Sequence, residues 1–278
     1  MSEQPVVVGV DASAAALSAV RWAAREAARH GRRLMLFHAC VFDGDPPRHG
    51  LFEESELLLE HIYRWLRHAA AIARTEAPGV EVEHVVRLGL AADLLVAASA
   101  EAPLLVLGSH GIGGLRGALI GSVALRVAAE AHCPVVVVRG HTEPDGPVVA
   151  GLDPAIPSEP VLRFAAEAAA ARDVRLVVVR AWHDGVLNSA AELVALTAKE
   201  ELGLEGQVVG LPREYPGLQL TSAVVQDRKP ARALLHAAPA PQLIVVGSRG
   251  RGPIAGGVLG STGNDLLAHA TCPVAVVH

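Results

Sequence analysis

The chain has 278 residues, 51% of them apolar but only 3% aromatic, and a formal net charge of −5 at neutral pH. That length admits one large domain or two of ordinary size. The acidic balance, with no Lys/Arg block, excludes a general nucleic-acid binder. With so few aromatic side chains the core has to be built from Val, Leu and Ala, which suits helices packed on buried parallel strands.

Pro5 to Val10 reads as a first buried strand ending at Asp11; Ser13 then caps an Ala-rich helix that runs to about His30 and is stopped by Gly31. Arg33 to Val41 reads as a second strand, Asp43 to Pro47 as a turn-rich loop, and Glu53 to about Thr75 as a long helix broken at Pro78-Gly79. Val80 to Leu88 alternates as a third strand, Ala91 to Ala100 is a short helix, and Leu104 to Leu107 a fourth strand. A Gly-rich loop, a helix to about Ala131 and a strand over Pro134 to Val138 complete a first half, and residues 140–146 have linker composition. The pattern then restarts, with Val148 to Asp153 matching Val6 to Asp11. Strands at Val174 to Ala181, Leu218 to Val225, Leu243 to Val246 and Pro273 to His278 alternate with helices from Pro157-Ser158, over Ala190 to Leu202 and over Pro230 to His236. Two domains, 1–140 and 147–278, are expected, each a doubly wound, mostly parallel five-stranded α/β sheet with right-handed crossovers.

The most informative repeat lies between the fourth strand and the following helix. Residues 108–138 and 247–277 align without a gap and agree at 14 of 31 positions, including Gly108-Ser109 against Gly247-Ser248 and Cys133-Pro134 against Cys272-Pro273. A buried strand, a Gly-rich loop and then Gly-Ser opening a helix form an arrangement that brings backbone close to a ligand and offers it unpaired N–H groups at the positive end of a helix dipole. That combination favours a phosphate. A plainer alternative makes Ser122 and Ser261 caps of a tight strand-to-helix turn; retention of five glycines and both serines in the two copies argues against it. In an open parallel sheet ligands sit beyond the carboxyl ends of the strands where the order reverses. If the first and fourth strands are neighbours there, Asp11 shares a crevice with the Gly108 loop and Asp153 shares one with the Gly247 loop.

With these residues the chain resembles the tandem universal stress proteins, in which two copies of one domain are fused, over essentially its whole length. The family's ATP-binding pattern, Gly, two residues, Gly, nine residues, Gly and Ser or Thr, reads here as Gly108, Gly111, Gly121, Ser122 and as Gly247, Gly250, Gly260, Ser261, the last followed by Thr262. The resemblance implies a Rossmann-like fold of the adenine nucleotide alpha-hydrolase type. It implies that Asp11 and Asp153 contact the adenosine end of the ligand and that the backbone of Val41 meets adenine. It further implies ATP with Mg2+ bridging its phosphates, a pseudo-dimer of the two halves within the chain, and a homodimer of whole chains. Two departures stand out: Leu88-Gly89-Leu90 in the first half becomes Gln226 to Pro230 without the glycine, and Gly114 becomes Pro253. The counterpart of Val41 is unassigned, because the halves do not align after their second strands.

Other motifs carry less. Gly250 to Ala255 fits a relaxed dinucleotide-binding pattern but follows a fourth strand, and no Gly-Lys pair exists to form a P-loop. The 13 histidines include no dense ligand cluster, and His61 and His68 read as solvated surface. Cys40, Cys133 and Cys272 are too scattered for a disulfide framework or a zinc site and are expected to be free thiols. Trp22, Trp65 and Trp182 read as core or interface residues. No stretch reaches the roughly 18–20 apolar residues of a membrane span, and the N-terminus lacks a leader pattern, so a cytoplasmic protein with no membrane partner is expected. Without an identifiable base or Lys clamp, the leading expectation is an ATP-binding regulator and not an enzyme, slow hydrolysis aside. The alternatives are an adenylate-using enzyme of the same fold and a nucleotide-free structural dimerisation protein.

Overall fold

The computed structural model describes residues 4–41, 52–111, 120–140, 145–154, 156, 158–183, 189–248 and 259–278. The chain divides into two compact units, Met1–Val127 with Ala131–Val138, and Ala128–Glu130 with Arg139–His278.

The first half runs β1 (Val6–Gly9), α1 (Ala14–Arg29), β2 (Leu34–Cys40), α2 (Phe52–Glu76), β3 (Val82–Leu88), α3 (Ala91–Ala98), β4 (Leu105–Gly108), α4 (Ser122–Glu130) and β5 (Val135–Val138). Its strands are parallel in the order β3-β2-β1-β4-β5. The central strands are short runs of Val and Leu because helices cover both faces, leaving no position for a polar side chain; Val6, Val8, Leu105, Val106 and Val135 to Val137 are buried. Ser13 starts α1 as expected, its hydroxyl accepting from Ala16 N at 3.1 Å. Small residues then let α1 lie close to the sheet, with Ala16, Ala19, Ala23 and Ala27 all buried.

The second half repeats this as β6 (Val148–Leu152), α5 (Glu159–Ala170), β7 (Leu176–Trp182), α6 (Ala190–Val208), α7 (Leu211–Glu214), β8 (Leu220–Gln226), α8 (Pro230–His236), β9 (Leu243–Gly247), α9 (Ser261–His269) and β10 (Val274–Val277). The order is β8-β7-β6-β9-β10, again all parallel. In both halves the first strand lies between the second and the fourth, so the order reverses beside β1 and beside β6.

The helix expected to stop near Leu202 continues to Val208. Gly203, just past that limit, serves packing. Arg180 on β7, only 3% exposed, donates to the Glu200 carbonyl and Oε2 at 3.2 and 3.3 Å and to Gln207 Oε1 at 2.6 Å. A β-carbon at Gly203 would stand 2.9 Å from Arg180 Nη1, so the guanidinium passes where a side chain would otherwise be.

All three cysteines are free. Cys133 and Cys272 are buried before β5 and β10, and desolvation pushes both thiols up to about 12. Burial raises Cys40 as well, although it is partly exposed. Because only the thiolate is a nucleophile, the folded protein treated with iodoacetamide at pH 8 is expected to take the label at Cys40 alone, with Cys133 and Cys272 labelling only on unfolding. Peptide mapping showing equal labelling of all three in the native protein would contradict this burial.

Candidate functional site

In the first half the ends of β1 and β4 and the start of α1 converge. Asp11 accepts from Ser13 N at 3.0 Å, and Ser13 Oγ donates to the His110 carbonyl at 3.4 Å. Gly108 packs against the first turn of α1, and a β-carbon there would lie 2.7 Å from the Ala15 carbonyl carbon. Gly111 lies against the carboxylate, its absent β-carbon 2.5 Å from Asp11 Oδ2. Gly121 returns to the same place: its N–H donates to the Ser109 carbonyl at 2.8 Å, while Ser109 N donates to Val138 O at 3.1 Å. The structure therefore brings Asp11, Gly108, Gly111, Gly121 and Ser122 to one edge of the sheet. Val41, one residue beyond β2, is 57% exposed, and no hydrogen bond joins it to that loop among the described residues.

The second half uses the same bonds. Ser248 N donates to Val277 O at 2.8 Å and Gly260 N to the Ser248 carbonyl at 3.2 Å. Here the strand ends enclose a cleft of about 430 Å³ whose walls include Asp153, Gly247, Ser248, Gly260, Ser261 and Thr262. That volume lies within the range of small-molecule sites. Gly250, with Arg249, Arg251 and Pro253, and in the first half Gly114, lie outside the described residues.

The helix starts exclude the plainer alternative raised by the sequence. Ser122 and Ser261 are not caps: the N-cap residues are Gly121 and Gly260, neither α4 nor α9 has a side-chain cap bond, and neither first turn holds an acidic residue. By contrast, the serines before α1 and α6 do cap their helices. The first-turn N–H groups of α4 and α9 thus lack an intrahelical or capping partner, and the serines are placed one position inside, with exposed side chains.

The cleft also contains residues that the sequence did not assign to a site. Strand register pairs Val6 with Leu34 and Val148 with Leu176, so Val41 corresponds to His183. Likewise Leu34 pairs Val82 and Leu176 pairs Leu220, so Gly89 corresponds to Asp227. His183 and Arg228 both line the cleft, as do Trp182, Pro160 and Leu234. Gly89 has φ +138. Asp227 replaces this left-handed turn with side-chain bonds, accepting from Lys229 N at 2.8 Å and from Arg232 Nε and Nη2 at 2.8 Å each. Arg232 and the Lys229 amide hold the Asp227 carboxyl below the usual carboxylate range.

Two tandem α/β units, each with a Gly-Ser helix start beside an aspartate at the sheet reversal, define a duplicated α/β protein. The model of the universal stress protein family matches residues 3–139 and again 146–278, and the chain belongs to that family as a two-domain member. A universal stress protein of Mycobacterium tuberculosis is 33% identical, with 98% of this chain and 95% of the relative aligned. One from Mycolicibacterium smegmatis is also 33% identical, over 99% and 97%. Among solved structures, a universal stress protein from Archaeoglobus fulgidus shares the fold at a TM-score of 0.70 and 18% identity, covering 98% of this chain and 97% of its own. Among the described residues no helix is long and apolar enough to cross a membrane.

Proposed function

We propose that the protein is an ATP-binding stress-response regulator that holds one nucleotide in each half. The observation that carries this reading is the second-half cleft, where open N–H groups at the start of α9 share one cavity with Asp153. The phosphates bind the first-turn N–H groups and the hydroxyls of Ser261 and Thr262, and in the first half those of α4 and Ser122. Asp153 and Asp11 accept from the ribose. Among the described residues no group of three or more His, Cys, Asp or Glu could hold a metal alone, so Mg2+ would be bound together with the phosphates, as this ion commonly is. Bound there it would neutralise phosphate charge.

The role is binding and not catalysis. Among the described lining residues Asp153 is the one side-chain carboxylate, there is no lysine, and Arg228 lies three strands from β9 at the far end of the cleft, whereas phosphoryl transfer calls for a positioned base and a cationic clamp at the phosphates. The family resemblance further supports a cytoplasmic homodimer that does not engage nucleic acid. The test is release of small molecules from the purified, denatured chain with mass detection, repeated after saturation with ATP. Recovery of intact ATP is expected; quantitative turnover to a product would favour an enzyme, and no nucleotide even after saturation would leave only a structural role.

A further inference from the structure

The second cleft has a direction. In the order β8-β7-β6-β9, Gly247 and Ser248 end β9, Asp153 follows β6, His183 follows β7 and Arg228 follows β8. Neighbouring strands are about 4.8 Å apart, so a ligand with its phosphates at α9 and its ribose at Asp153 extends its base past β7 toward Arg228. The halves differ most at this end. The first has two residues, Gly89 and Leu90, between β3 and α3, whereas the second has three, Asp227, Arg228 and Lys229, between β8 and α8.

The added length presents an arginine without an acceptor. Arg228 lines the cleft, is exposed, and makes no hydrogen bond or ion pair with another described residue. The carboxylate beside it, Asp227, is already engaged by Arg232 and by Lys229 N. Adenine presents an amino group at the position where guanine presents a carbonyl oxygen, so toward this guanidinium adenine sets donor against donor. Arg is suited to the adjacent O6 and N7 acceptors of guanine, which it can engage with two parallel bonds. We propose that Arg228 is a specificity-determining residue and that the second half prefers a 6-oxopurine nucleotide, a guanosine phosphate, over ATP, which still enters at saturation. This rests on the two-site reading above.

The test uses the full chain carrying Gly121→Ala/Ser122→Ala, so that only the second site is read, titrated separately with GTP and ATP. GTP is expected to bind about tenfold more tightly, with the preference lost in Arg228→Leu and partly retained in Arg228→Lys, which keeps the charge but not the fork. Arg228 is exposed, so both variants are expected to fold, and a circular dichroism melt checks this. Equal or tighter binding of ATP, unchanged by Arg228→Leu, overturns the specificity while leaving the site intact. If neither nucleotide binds the loop-silenced chain, the second site itself is wrong and the specificity falls with it.

Discussion

Changing the residues that open one helix is expected to halve the nucleotide stoichiometry. Calorimetry at saturating ATP should give two nucleotides per wild-type chain, one for Gly121→Ala/Ser122→Ala and one for Gly260→Ala/Ser261→Ala. The affected site should lose at least about a hundredfold in affinity, because each charge-assisted hydrogen bond removed is worth roughly 1.5–3 kcal/mol and the new methyl group stands where the phosphate approaches. The fold should be indifferent. Gly121 has φ −74, and a β-carbon there meets its nearest neighbour, His110 Cα, at 3.4 Å, an ordinary contact. The turn does not require this glycine, which is what a position kept open for a ligand looks like. Asp11→Ala and Asp153→Ala should weaken the same sites by a different route, leaving the helix starts whole. If both loop double variants still bind two ATP with wild-type affinity, the assignment of these helix starts to phosphate is mistaken.

The strand order and the grouping of Asp with the Gly loop were legible because they rest on signals that survive in one sequence. Runs such as Val135 to Val138 can only be strands buried on both faces, and strand-helix alternation leaves few topologies. The base end of the second cleft was not legible. The offset between the halves is constant from the first strand to the second and changes only before the third (82 − 34 = 48 against 220 − 176 = 44); Val41 and His183 stand at the last positions before that change, and the register is what sets them opposite one another. Arg228 stood in the stretch that lacks the family's glycine, but only the Asp227–Arg232 pair shows how that loop is held without a left-handed residue. The extension of α6 was not legible either: a glycine inside a helix lowers its propensity, and only the structure shows Arg180 lying against Gly203. The plainer reading of Ser122 and Ser261 as caps is set aside by the helix starts themselves, since sequence alone does not distinguish an N-cap from the first helical residue.

Gly108→Ala is expected to do what Gly121→Ala does not, and destabilise the first half. Its β-carbon would come within 2.7 and 2.8 Å of the Ala15 carbonyl carbon and oxygen, and these atoms belong to the first turn of a helix whose Ala16, Ala19 and Ala23 are buried. A side-chain clash could be relieved by a rotamer change, but here α1 has to move as a body or β4 has to bend. Overpacking of this kind costs about 1–3 kcal/mol, a large share of the roughly 5–15 kcal/mol that holds a domain together. The displacement reaches the site as well, because Ser13 and Asp11 sit at the start of the same helix and are joined by the 3.0 Å bond from Ser13 N. Denaturant titration should therefore show an earlier transition for Gly108→Ala, with loss of one bound nucleotide, while Gly121→Ala loses the nucleotide but unfolds within about 0.5 kcal/mol of wild type. An unchanged midpoint for Gly108→Ala would mean that α1 yields easily at Ala15, and that this glycine too is kept for the ligand alone.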